Sequence, residues 1–247
     1  SYIRRLLKAH DWDKPNWNEA PLGSKPPSPL HEDSVHELFD SAPGPAEGTK
    51  EHVALAADHG FKYRTLLGEL LYAYVTCRLD IGYAITTLAK FSTAPNATHY
   101  KALKRVTMYL RQTQDWGILY WRPSSNPAFP KGDFTKVIPG SSLPIIPQPT
   151  DPLELVSYAD AGHTNASECH STTGHAACRT GGAIAYRSKT QPICAQSSTK
   201  AELVAACAAA KVIKYLRSVL KQLGFPPTAP VSSPHLTLPT KRSGDAS

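Results

Sequence analysis

Hydrophobic positions recur at two different periods along the chain, helical in its first half and alternating in its second. Ile3, Leu6 and Leu7, with Arg4, Arg5 and Lys8 between them, predict a short amphipathic helix over residues 1–12. From Tyr63 the period is three and four: Tyr63, Leu66, Leu67, Leu70, Leu71 and Tyr74 mark the buried face of a helix over 61–76. Asp80 is placed to cap the next helix, whose inner side carries Ile81, Ala84, Ile85, Leu88 and Ala89. A third helix follows Pro95 and Asn96. It turns Tyr100, Leu103, Val106, Thr107 and Leu110 inward and Lys101, Lys104, Arg105 and Arg111 outward. Gly117 closes it, and Ile118-Leu119-Tyr120-Trp121 reads as a short strand.

Beyond residue 150 the pattern alternates. Leu153, Leu155 and Ser157 interleave with Glu154, Val156 and Tyr158 in a strand that ends at Asp160. A second strand is expected over 172–180, a turn at Gly181-Gly182, and a third strand over Ile184–Ser188. Ser197-Ser198-Thr199 then offer capping hydroxyls to a helix from Lys200 to Leu223, stopped by Gly224 and Pro226. Its alanines between 201 and 210 let it lie close to a sheet. The fold class is therefore α/β: three antiparallel strands and a crossover helix, preceded by a helical region. Such a helix ordinarily returns to a parallel strand, and none is convincing after it.

Proline divides the chain. The 22 prolines cluster, and Pro15, Pro21, Pro26, Pro27, Pro29, Pro43 and Pro45 mark residues 13–60 as a largely irregular linker. Residues 122–150 form a second proline-rich linker, and 225–247 a disordered tail. The expected units are thus 1–12, 61–121 and 151–224. The first residues, Ser1 to Arg5, read as a cut from a longer product.

Composition narrows the partners. The 247 residues carry a formal net charge of +7, with a sequence pI near 9.1. That balance suits a polyanion, nucleic acid first and an anionic membrane second. Five cysteines, an odd number without a C-x-x-C pair, argue against a disulfide framework and for a reducing compartment. No apolar run is long enough to span a membrane.

Two carboxylates carry the candidate chemistry. Asp160 ends the first predicted strand, and Glu202 is expected in the first turn of the long helix. A strand–hairpin–helix unit can bring the two to one face, and paired carboxylates holding Mg²⁺ ions about 4 Å apart suit phosphodiester hydrolysis. Each position also has a plain use: Asp in turns, Glu at a helix start. His163, Cys169, His170, His175 and Cys178 crowd together without the spacing of a zinc site. Lys101, Lys104, Arg105 and Arg111 could touch phosphates or simply face water.

Several ordered segments resemble one family. Ser157-Tyr158-Ala159-Asp160-Ala161, Ser171-Thr172-Thr173-Gly174, Gly182-Ala183-Ile184, Ser188-Lys189-Thr190-Gln191-Pro192 and Ser197-Ser198-Thr199-Lys200-Ala201-Glu202-Leu203 look like the ribonuclease H domain of copia-type retrotransposon Pol polyproteins. Tyr63-Arg64-Thr65-Leu66-Leu67-Gly68, Arg78-Leu79-Asp80-Ile81 and Lys104-Arg105-Val106 resemble the connection that follows its reverse transcriptase. The resemblance covers most of 60–224 and, more loosely, 1–12. It implies that 1–12 ends the reverse transcriptase region, that 61–121 is the helical connection, and that 151–224 is an incomplete ribonuclease H-like domain. It implies Asp160 and Glu202 as Mg²⁺ ligands, an RNA–DNA hybrid and the rest of the polyprotein as partners, and cytoplasmic particles with nuclear delivery as the setting. The polymerase Tyr-x-Asp-Asp motif is absent. The family's third and fourth ligands have no counterpart after Gly224, so this chain is expected to be inactive alone. The competing expectation is a non-catalytic nucleic-acid-binding or structural remnant.

Overall fold

The computed structural model describes residues 2–13, 28–30, 32–118, 120, 154–162 and 170–225. Helices α1 (Tyr2–Ala9), α2 (Glu32–Asp40), α3 (Lys50–His59), α4 (Tyr63–Thr76), α5 (Gly82–Ala89) and α6 (Ala97–Gln112) precede strands β1 (Val156–Gly162), β2 (Thr172–Arg179) and β3 (Gly182–Thr190) and a final helix, α7 (Ser198–Gln222). The apolar faces expected for α1, α4, α5 and α6 meet in one core. Leu7, Leu66, Leu70, Ile85, Leu88, Leu103 and Leu110 are almost wholly removed from water there. Each such leucine or isoleucine contributes roughly 1.5–3 kcal/mol of transfer free energy.

The linker expected over 13–60 is corrected for its second half: α2 and α3 lie within it. No proline stands between residues 30 and 42 or between 46 and 94, so the clustered prolines bracket these helices rather than break them. Val35 and Leu38 of α2 are buried in the shared core. Thr49 caps α3 by accepting from the His52 N–H, and Gly60 ends it. Even Pro43-Gly44-Pro45 is docked. The Gly44 N–H donates to the Ala94 carbonyl at 2.9 Å, and a Cβ on Gly44 would stand 2.1 Å from the Pro95 oxygen. Only glycine permits that approach.

Helix α6 begins in a capping box: Asn96 accepts from the His99 N–H, and His99 Nδ1 accepts from the Asn96 N–H. The Asn96 amide also donates to Ser41 Oγ and the Ala42 carbonyl, which fastens the end of α2 to the start of α6. Asp80 is not the expected cap. It lies in a 3-10 turn, Leu79–Ile81, and α5 starts without a side-chain cap. Its carboxylate instead takes Arg78 and the Tyr109 hydroxyl. Arg78 is buried to 2% exposure and needs a counter-charge more than the helix needs a cap.

The three strands pair antiparallel in the order β1-β2-β3. The hairpin turn is Thr180-Gly181, one residue before the expected Gly181-Gly182. Both residues take positive φ, 53° and 81°, as the tight hairpin turn matched to strand twist requires. The register shifts between Ala177 and Cys178, leaving Ile184 as an extra, exposed residue on β3. β1 starts and ends two to three residues later than expected, and β3 extends beyond Ile184–Ser188 at both ends. Ile118 and Tyr120 are not in a strand, while Leu119 and Trp121 lie outside the described residues. Phe225, expected in the disordered tail, donates its N–H to Leu220. The linker 122–150 and residues 226–247 lie outside the described residues.

Helix α7 packs on β1 and β2 through Ala201, Ala205, Ala209 and Ile213, a stripe at four-residue spacing. The sheet in turn rests on the helices through β3: Tyr186 donates to the Tyr74 carbonyl at 2.7 Å, and the Ser188 N–H donates to the Tyr74 hydroxyl at 2.9 Å.

Candidate functional site

Asp160 sits within β1, not at its end, opposite Gly174 on β2, which is opposite Ser188 on β3. Aspartate is a poor strand former, so its place inside a strand has a cause other than propensity. The glycine beside it leaves the row uncrowded, and Asp160 is exposed.

Glu202 comes from α7. Ser197, not Thr199, caps this helix, accepting from the Lys200 N–H at 3.3 Å. The helix therefore starts earlier than expected, and Glu202 is its fifth residue, past a first turn that holds no acid. The helix-dipole explanation for a first-turn glutamate is thereby removed. Helix α7 packs on β1, which brings Glu202 near enough to Ala161, the residue after Asp160, and to Asp160 itself for both to act on its carboxyl. Burial raises the Glu202 pKa above the usual glutamate value. Repulsion from Asp160 raises it further, and the Ala161 N–H partly offsets both. Glu202 thus lies within electrostatic reach of Asp160.

Among the described residues no group of three or more His, Cys, Asp or Glu is placed to hold a metal ion. Lys200 turns away and donates to Gln196 at 2.8 Å. His175 and Cys178, three apart on β2, do not form a zinc pair. Burial lowers the His175 pKa, helped by the charge of Arg187, and burial raises that of Cys178. His163 and Cys169 lie outside the described residues. Among the described residues, Cys77, Cys178, Cys194 and Cys207 form no disulfide.

The four basic residues of α6 differ from one another. Lys101 is exposed, whereas Lys104, Arg105 and Arg111 are half-buried. Arg105 donates to the Ser28 carbonyl at 3.0 Å, so it first of all anchors the chain before α2. Two residues that the sequence reading did not single out for the site stand behind it: Thr173, opposite Ala161, and Gln191, buried beside it. Their only signal was membership of the motifs at 171–174 and 188–192.

No protein-family model matches the chain, and no solved structure does. Curated relatives exist. The Secreted RxLR effector protein 161 of Plasmopara viticola is 31% identical over 144 residues, covering 58% of this chain and 82% of that protein. The Retrovirus-related Pol polyprotein from transposon TNT 1-94 of Nicotiana tabacum is 31% identical over 164 residues, 66% of this chain. The Retrovirus-related Pol polyprotein from transposon RE2 of Arabidopsis thaliana is 28% identical over 165 residues, again 66% of this chain. The chain resembles a fragment of a retrotransposon Pol polyprotein. As a Pol-like fragment it spans only 10% and 9% of those two polyproteins. Among the described residues of this Pol-like fragment, no helix is long and apolar enough to cross a membrane.

Proposed function

We propose that this Pol-like fragment is a copia-type connection, residues 61–121, joined to a ribonuclease H-like half-site, residues 151–224. In this reading Asp160 and Glu202 hold one Mg²⁺ and address the chain to an RNA–DNA hybrid that it does not cut alone. The observation that supports the reading is the packing of α7 on β1, which sets Glu202 within electrostatic reach of Asp160.

The donor set suits one hard divalent cation. Two crowded carboxylates, one of them with burial and a neighbour's charge working against its ionisation, are relieved together by a cation between them. The remaining positions of Mg²⁺ go to water, as is usual for that ion. Two ions need more oxygen ligands than Asp160 and Glu202 supply. When bound, such an ion activates water and neutralises charge on a phosphodiester. The chain's own residues do the rest: Asp160 and Glu202 bind, the Ala161 N–H orients Glu202, and the basic α6 face around Lys101 attracts the backbone. Recognition of the hybrid goes by groove shape and 2′-hydroxyls. The setting follows the family: polyprotein neighbours, cytoplasmic particles and nuclear delivery.

The test is a labelled RNA–DNA hybrid incubated with the full chain and Mg²⁺, with Asp160→Asn as control. Salt-sensitive binding without cleavage, and Mn²⁺ uptake lost in Asp160→Asn, support the half-site. Cleavage abolished by Asp160→Asn overturns the inactive part. Failure of the wild type to take up Mn²⁺ overturns the cation part.

A further inference from the structure

Gln191 is buried to 2% exposure just past the end of β3. Its backbone N–H donates to the Ser171 carbonyl at 2.8 Å, which pins it to the start of β2. Its side-chain Nε2 donates twice more, to Thr173 Oγ1 at 3.0 Å and to the Ala201 carbonyl at 2.9 Å. Both amide hydrogens are thereby used, while Oε1 is buried without a hydrogen-bond partner. An idle buried acceptor lowers stability. Space-filling alone would favour an apolar residue here.

The two acceptors explain the choice. Thr173 is the cross-strand partner of Ala161, the residue after Asp160. Ala201 is the residue before Glu202. One side chain therefore grips the sheet beside one carboxylate and the helix beside the other. Of the α7 residues buried against the sheet, Ala201, Ala205 and Ala209 offer no long side chain to interlock, and Ile213 lies about three turns from Glu202.

We propose that Gln191 is the positioning residue of the carboxylate pair, clamping α7 to β2 so that Glu202 stays on the Ala161 N–H beside Asp160. The inference rests on the reading of the pair as a cation site. Gln191 itself is no ligand. It acts by holding α7 in register, where a slip of about 1 Å is enough to spoil a site.

The experiment compares the full chain with Gln191→Met, which keeps length and apolar bulk and removes both donors. Two quantities are read: amide hydrogen exchange at Ala161 relative to amides in the middle of β2, and Mn²⁺ affinity by relaxation titration. Positioning predicts selective loss of protection at Ala161 and a Mn²⁺ Kd raised about tenfold or more. A variant that is merely less stable, with the relative protection of Ala161 and the Mn²⁺ Kd unchanged, overturns the proposal. Should Gln191→Met not fold, Thr173→Val removes one of the two acceptors and is judged by the same two readings. If the wild type takes up no Mn²⁺ but Gln191→Met still frees the Ala161 amide, the cation reading fails and the positioning role stands.

Discussion

Tyr74 and Tyr186 join the helices to the sheet: the Tyr186 hydroxyl donates to the Tyr74 carbonyl at 2.7 Å, with ring centroids 5.7 Å apart. The same hydroxyl reaches the Val75 carbonyl at 3.0 Å, and the Tyr74 hydroxyl takes the Ser188 N–H. Because α4 has ended its own ladder there, these carbonyls depend on β3 for a partner. Tyr186→Phe is expected to lower stability by about 1–2 kcal/mol in urea unfolding, with the rings still packed. An unchanged midpoint would show that water replaces the hydroxyl freely.

Arg78 is the second tie. Its guanidinium holds Asp80 at 2.6 Å and donates to Thr113 Oγ1 and the Thr113 carbonyl, joining the α4–α5 turn to the end of α6. Burial works against the Asp80 charge, but Arg78 and the Tyr109 hydroxyl outweigh it and hold the carboxyl below its usual range. Arg78→Ala strands that charge and is expected to cost about 3–5 kcal/mol. Arg78→Lys keeps the charge but not the fork, so chemical denaturation is expected to find most of the loss still there.

His99 makes the fold sensitive to acid. Its Nδ1 accepts from Asn96, so Nε2 carries the proton and donates to the Leu38 carbonyl at 3.0 Å. Burial lowers its pKa, with the Leu38 carbonyl pulling weakly the other way. The unfolded chain then binds the proton more readily. Stability is full above the unfolded value of 6.5 and declines as pH falls from there toward the lower folded value. Burial lowers His59 and His175 as well, which adds slope of the same sign. Urea midpoints between pH 7.5 and 5 are expected to fall, and to fall less in His99→Gln. A flat wild-type profile would contradict the neutral, buried state of His99.

Asp160→Asn probes the carboxylate pair without any metal. Burial still raises the Glu202 pKa in this variant, but the contribution from Asp160 is gone. A carboxyl-carbon NMR titration is expected to show the Glu202 midpoint moving down. No movement means the two groups are not neighbours in solution.

The α6 face separates by burial. Lys101→Ala, at an exposed position, is expected to reduce the salt slope of hybrid binding by about one. Arg105→Ala is expected to act first on stability, through the lost bond to Ser28. Equal effects of the two on binding and none on stability would place both on the phosphate backbone.

The sequence made α4, α5, α6 and the β2–β3 hairpin legible because each is specified by near neighbours: three-and-four spacing, an Asn cap, a glycine turn. It hid α2 and α3 because proline was weighed over the whole of 13–60 rather than between its clusters. The role of Asp80 is not legible from its position, because its partners are Arg78 and Tyr109, the latter on a different helix. Asp160 and Glu202 could be paired from motif order, whereas Gln191 could not be singled out. Its bonds to Thr173 and Ala201 exist only once strand and helix have met.

One feature of β1 reaches beyond chemistry. It is paired on one side only among the described residues, and an open strand rim of that kind invites foreign chains to stack and grow into fibres. Glu202 lies near the Ala161 backbone and sets a charge beside that rim. A charged side chain at such a rim guards the chain against its own aggregation.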